Sequence, residues 1–247
     1  MAHFILTHGA WQGAWAWDTI VARLAAAGHA ATAVDLPGDG HDATPPGDVT
    51  TMLYAERIAA LVDAVPAGEA VILVGHSMGG TATAQACELR HARIAVAVYL
   101  CAFLLPDGES IVDFYARAWQ DWMTGAHARV SYSADGTQSR IDPASAVEVF
   151  YHRADPADAR AAAARLTPQP EGGRRSKLQL SPGRYGRVPR VYIETLQDRS
   201  VFNELQRLMY TETPCAQVYS LDTDHAPQLS APDALTALLG EVANGYA

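Results

Sequence analysis

The run Ala70-Val71-Ile72-Leu73-Val74-Gly75-His76-Ser77-Met78-Gly79 constrains this chain more than any other stretch. Ala70 to Val74 are apolar throughout, the pattern of a central parallel strand covered on both faces. Ser77 to Leu89 follows as an Ala/Thr-rich helix. Between them lies G-x-S-x-G, a sharp strand-to-helix turn that flanking glycines let the backbone make. The turn lifts the Ser77 hydroxyl out of the sheet. It also sets it at a helix N-terminus, where free N–H groups and the helix dipole favour developing negative charge. A serine in that position is a candidate nucleophile. It needs a base, and the base needs an orienting acid.

The rest of the chain repeats the strand–helix order. Strands are expected at His3–Thr7, Ala30–Leu36, Ile94–Leu100, Arg190–Leu196 and Ala216–Leu221. Helices are expected at Asp18–Ala27, Leu53–Val65, Val201–Met209 and Ala231–Val242. Ser230-Ala231-Pro232-Asp233 resembles a capping box opening the last helix. Such alternation implies a mostly parallel central sheet with helices on both faces. From about Phe103 to Arg187 the rhythm breaks into short helical pieces and many turns, too irregular to hold a core of its own. The chain therefore reads as one α/β domain, with a core of about 1–104 and 188–247 and an insertion of about 105–187 lying over the sheet.

In parallel-sheet enzymes with this motif, the nucleophile, the acid and the base come in that chain order. His225 is the histidine that follows the last strand, so it is the expected base. Asp198 follows the preceding strand and is the expected acid. Asp222 and Asp224 are its rivals, but they sit beside the histidine in sequence, poorly placed for its distal ring nitrogen. Glu194 lies within a strand and is expected to point into packing. Acyl transfer through such a site develops an oxyanion, which needs two preorganised N–H donors. Met78, directly after the nucleophile, offers one. Ala10, in the His8-Gly9-Ala10-Trp11 loop after the first strand, offers the other.

Composition narrows the partners. The chain has 247 residues with 18 Lys+Arg against 27 Asp+Glu, a formal charge of −9 that disfavours nucleic acid. Hydrophobic residues make up 49%, too many for a disordered chain. Cys87, Cys101 and Cys215 are odd in number and widely spaced, which argues against a disulfide framework or zinc site and for a reducing compartment. With no signal peptide and no membrane span in view, a cytoplasmic protein is the expectation.

The stretches LTHGAWQGAWAWDTIVARLAAAGHAATAVDLPG, VILVGHSMGG, VYLCAFLLPDGES, RVPRVYIETLQDRS and DTDHAPQLSAPDAL carry a family likeness. The chain resembles the α/β-hydrolases of the hydroxynitrile lyase and plant methylesterase group, which includes salicylate-binding methyl esterases, and the related bacterial esterases. The resemblance implies an α/β-hydrolase fold with a cap insertion, and a cofactor-free serine esterase. It carries the triad onto Ser77, Asp198 and His225, and the oxyanion donors onto Ala10 and Met78. Members of that group are often homodimers, so the resemblance also implies one here. Lyases of the group carry a lysine just after the catalytic histidine and a threonine in the first loop. Here Ala226 follows His225 and Gly9-Ala10 occupies the loop, which favours the esterase branch. A different reaction on the same triad (cyanohydrin cleavage, C–C hydrolysis, acyl transfer) and a ligand-binding receptor on a hydrolase scaffold stay open at this point.

Aromatic residues concentrate where the insertion begins. Trp11, Phe103, Trp119 and Trp122 are candidates to line an apolar substrate pocket, with Phe114 and Tyr115 beside them; the alternative is that they anchor the insertion on the sheet. His76, Trp15 and Trp17 read as structural. Asp39, His41 and Asp42 read as a solvated turn rather than a metal site. Arg174-Arg175-Ser176-Lys177 reads as exposed surface, and Cys87 and Cys101 as core.

Overall fold

The computed structural model describes residues 1–118 and 128–246. Six strands form one parallel sheet: β1 (Ala2–Thr7), β2 (Ala30–Val34), β3 (Ala70–His76), β4 (Ile94–Leu100), and, beyond the insertion, β8 (Arg190–Thr195) and β9 (Gln217–Leu221). The sheet order is β2-β1-β3-β4-β8-β9. Side chains alternate across it. Phe4, Leu6, Ile72, Val74, Val96 and Val98 face α1 (Asp18–Ala26) and the C-terminal helix; Ile5, Val71, Leu73, Ala97 and Tyr99 face α2 (Thr51–Ala64) and α3 (Gly79–Arg90). Helices thus cover both faces, the arrangement that all-apolar strands require. The fold is an α/β-hydrolase fold. Beyond β8 come α8 (Asn203–Glu212), then α9 (Pro227–Ser230) and α10 (Pro232–Tyr246) after β9. Ser230 does not cap α10: its hydroxyl donates to Asp224 Oδ1 (2.7 Å) and to the Ala226 carbonyl (3.1 Å).

The connection from β1 leaves toward one face and that from β3 toward the other. The two strands are neighbours, so a crevice opens where their C-terminal ends part. The loops after β1 and β3, which hold Ala10 and Ser77, meet at this point.

The insertion is better organised than its sequence suggests. It holds α4 (Ile111–Ala118), α5 (Pro143–Phe150), α6 (Pro156–Ala164) and the one-turn α7 (Gly172–Arg175). It also holds a small antiparallel sheet of β5 (Val130–Tyr132), β6 (Gln138–Ile141) and β7 (Gln169–Pro170). Asp142 and Asp155 cap α5 and α6, accepting from the N–H groups of Ser145 and Ala157 (2.8 Å each), with proline at the first turn of both. Ile141, Ala146, Val149, Phe150, Ala159 and Ala163 join one apolar cluster, which is not closed within the segment. That cluster closes over two residues of the sheet-end loops, Trp11 and Ala226.

Candidate active site

Ser77 has φ 53°, in the left-handed region, where a non-glycine residue is strained. Its backbone is held by its neighbours rather than by its side chain. The Ser77 N–H donates to the Leu100 carbonyl (3.2 Å), and the Ser77 carbonyl accepts from Phe103 N–H (3.0 Å) and Gly80 N–H (3.1 Å). The glycines are there for closeness. A Cβ on Gly79 would lie 2.6 Å from the His8 carbonyl oxygen, and one on Gly80 would lie 2.4 Å from that of Phe103.

The structure brings Ser77, His225 and Asp198 together. His225 Nδ1 lies 2.7 Å from Asp198 Oδ2, and His225 Nε2 lies 2.9 Å from Ser77 Oγ. A carboxylate only accepts, so Nδ1 carries the proton and Nε2 is left to accept from the serine hydroxyl. Asp198 is itself fixed by four further donors: Ser200 N–H (2.7 Å) and Val201 N–H (2.9 Å) on Oδ1, Thr195 Oγ1 (3.0 Å) and Gln206 Nε2 (3.2 Å) on Oδ2. All three side chains are buried. The rival carboxylates are committed elsewhere. Asp224 accepts from Arg153 N–H, Ala226 N–H and Ser230 Oγ, and Asp222 from Gln197. Glu194 does not simply pack: it accepts from Ser220, Asn203, Tyr210 and Arg207.

His225 is also gripped through its backbone. His76 Nε2–H donates to the His225 carbonyl at 2.7 Å, and Cys101 Sγ–H reaches the same oxygen at 3.4 Å. Burial holds His76 well below the usual histidine range and Cys101 well above the usual thiol range, so both are neutral donors. His76, Cys101 and His225 have ligand atoms within 4.8 Å of one another, close enough to share a metal ion. Both ring nitrogens of His225 are already engaged by Asp198 and Ser77.

Ala10 and Met78 sit on the two loops that meet beside Ser77. Among the described residues, neither backbone N–H has a hydrogen-bond acceptor. Gly9 brings the first loop against Ser77; a Cβ on it would lie 2.9 Å from Ser77 Cβ. The Trp11 ring stacks on Phe150 (6.1 Å between centroids), and Phe150 lies 5.3 Å from the His225 ring. Phe103 meets Tyr115 and Phe114 edge-on at 5.5 and 6.2 Å. Trp119 and Trp122 lie outside the described residues.

Two polar segments differ from their sequence reading. Asp39 is fully buried rather than solvated, accepting from Tyr54 Oη (2.8 Å) and Gln169 Nε2 (3.3 Å), and burial pushes its carboxyl well above the usual range. Arg174 is turned inward over the Trp11 ring, 5.4 Å from its centroid, and paired with buried Glu171 at 3.0 Å. Arg175 and Lys177 are exposed as expected. Phe150, Thr195, Gln206 and Gln169 are contributions that sequence reasoning missed. Phe150 and Gln169 act across segments far apart in sequence, whereas Thr195 and Gln206 hold Asp198 from three and eight residues away with side chains of types that fill many other roles.

A family model described as the alpha/beta hydrolase family matches residues 4–238. The chain is 33% identical over 249 residues to putative methylesterase 11, chloroplastic, of Arabidopsis thaliana, covering 98% of this chain. It spans 64% of that relative's length, less than two thirds. It is 31% identical to methylesterase 7 of the same plant, covering 99% of this chain and 97% of the relative. A crystal structure of a polyneuridine aldehyde esterase variant superposes with a TM-score of 0.85 at 26% identity, covering 98% of both chains.

Proposed function

Because this chain belongs to the alpha/beta hydrolase family, we propose that it hydrolyses carboxylic esters bearing apolar or aromatic groups, through an acyl-enzyme on Ser77. The observation that carries this reading is the continuous hydrogen-bonded line from Ser77 Oγ through His225 to Asp198. The methylesterase and esterase relatives support it.

His225 Nε2 takes the hydroxyl proton as Ser77 Oγ bonds to the ester carbonyl carbon. The carbonyl oxygen becomes an oxyanion, received by the N–H groups of Ala10 and Met78. His225 then returns the proton to the alkoxide oxygen as the C–O bond breaks, leaving acyl-Ser77 and a free alcohol. Water gives a proton to His225 and attacks the acyl carbon; the bond to Ser77 breaks and the serine recovers its proton. Asp198 holds the imidazole tautomer and offsets the charge on the imidazolium. The described part of the insertion closes over the site through Phe150, which lies against the Trp11 and His225 rings. Trp11, Phe150 and Phe103 supply the aromatic walls, which favour apolar acyl or alcohol groups. Ala226, where related lyases carry a lysine, offers no cation to a leaving cyanide.

A panel of methyl and aryl esters, assayed with wild type and Ser77→Ala, tests the reading. Wild type should turn over aryl and methyl esters of apolar acids, and the alanine variant should be slower by about 10⁴-fold or more. Untouched esters, or equal rates for the two proteins, overturn it. Mandelonitrile should release no cyanide above background.

A further inference from the structure

Trp11 has φ 62° and is held from three sides by the insertion. Its N–H donates to Gln169 Oε1 (2.9 Å), its carbonyl accepts from Thr167 N–H (2.9 Å), and its indole N–H donates to Ser139 Oγ (3.1 Å). Ser139 and Gln169 face each other across β6 and β7. Gln169 is fully buried, and the other end of its amide is anchored in the opposite direction. Its Nε2 donates to Tyr54 Oη on α2 (3.0 Å), to the Pro170 carbonyl (3.0 Å) and to Asp39 in the loop after β2 (3.3 Å). Tyr54 in turn donates to the same Asp39 oxygen.

This arrangement bears on the residue one position back. Gly9 N–H is tied to Gln12 Oε1 (3.1 Å), and Trp11 N–H is tied to Gln169. Ala10 N–H stands between two tethered peptides and has no acceptor among the described residues. Preorganised donors are effective because they do not have to reorient as charge develops. A strained residue such as Trp11 relaxes once its partners are removed, because surrounding contacts are what hold it there. Relaxation at Trp11 turns the Ala10 donor away.

We propose that Gln169 is a positioning residue for ester hydrolysis: its side-chain amide locks the Trp11 peptide to Tyr54 and Asp39 and so aims the Ala10 N–H at the oxyanion. The inference rests on the hydrolase reading above and assigns the insertion a part in completing the oxyanion site.

Gln169→Met keeps the length of the side chain and removes both hydrogen-bonding groups. The expected result is a fall in kcat of about 10- to 100-fold with KM within about twofold. A trifluoromethyl ketone that forms an oxyanion adduct on Ser77 should lose affinity by the same factor as kcat/KM. Gln169→Glu keeps an acceptor for Trp11 N–H but loses the donor to Asp39 and the Pro170 carbonyl and buries a second carboxylate beside Asp39, so it should recover little of the lost kcat. A kcat within twofold of wild type in Gln169→Met overturns the proposal. So does a loss that disappears when rates are expressed per site titrated with a phosphonate, because the variant then contains fewer folded molecules rather than a misaimed donor. If Gln169→Met does not fold, Tyr54→Phe removes one far anchor. It should lower kcat about 3- to 10-fold at unchanged KM, and an unchanged kcat there counts against the clamp. Ser77→Ala separates the two failures. Ester turnover that survives it removes the hydrolysis reading itself, whereas Ser77-dependent turnover indifferent to Gln169 removes only the clamp.

Discussion

Asp39 occupies a place that its neighbours in sequence do not announce. Gly-Asp-Gly-His reads as an exposed turn, and His41 is exposed. Asp39 is buried because Tyr54 and Gln169 close over it from 15 and 130 residues away. One of its oxygens has no partner among the described residues, and burial raises its carboxyl well above the usual range. The folded chain therefore keeps a proton that the unfolded chain releases near pH 4, so this residue costs stability as pH rises through that interval. An asparagine in its place has no proton to lose and still accepts from Tyr54. The stability of Asp39→Asn relative to wild type should grow as the pH rises from about 5 toward 7. Urea unfolding at those pH values measures it, and a difference that stays flat contradicts it. Ser77, His225 and Asp198 were legible as candidates because each stands just past a strand, where a parallel sheet gathers loop residues. The donors that hold them, Thr195, Gln206, His76 and Cys101, were not, since the same residue types fill cores for many other reasons.

At the scale of elements, β3 and β4 were the plainest strands, because apolar runs of five and seven residues leave few alternatives. The insertion was less plain. Its strands have three, four and two residues, too short for an alternation pattern to register. Its helices are short and lean on capping instead of a long apolar face. Asp155 accepts from Ala157 N–H at the start of α6. Asp155→Ala should cost about 1 kcal/mol and lower the melting temperature by about 2–4 °C. Ester turnover at 25 °C should stay within about twofold, because the capped end of α6 is exposed and far in contacts from the triad. A thermal melt beside a rate measurement distinguishes a lost cap from a lost site.

At the scale of the molecule, β8 pairs with β4 on one side and β9 on the other, although the whole insertion separates β4 from β8 in sequence. Tyr99 and Tyr192 share one buried cluster, as do Val98 and Ile193. Neither flank of the chain can keep its half of the core without the other. A protease site placed at the exposed β5–β6 turn, Asp135-Gly136, should therefore yield a nicked protein that elutes as one species without denaturant and separates only in urea. Fragments that part in buffer would contradict that cohesion. The backbone of Ser77 allows a different use of the molecule. Its turn is fastened by Leu100, Phe103 and Gly80 and owes nothing to the hydroxyl. Position 77 therefore behaves as a socket. An alanine, a cysteine or a short reporter side chain can be seated there with the elbow intact. A β-branched residue, which resists the left-handed conformation, cannot. If the proposed mechanism holds, an alanine in that socket makes the protein a bait that keeps a bound ester whole long enough to be identified.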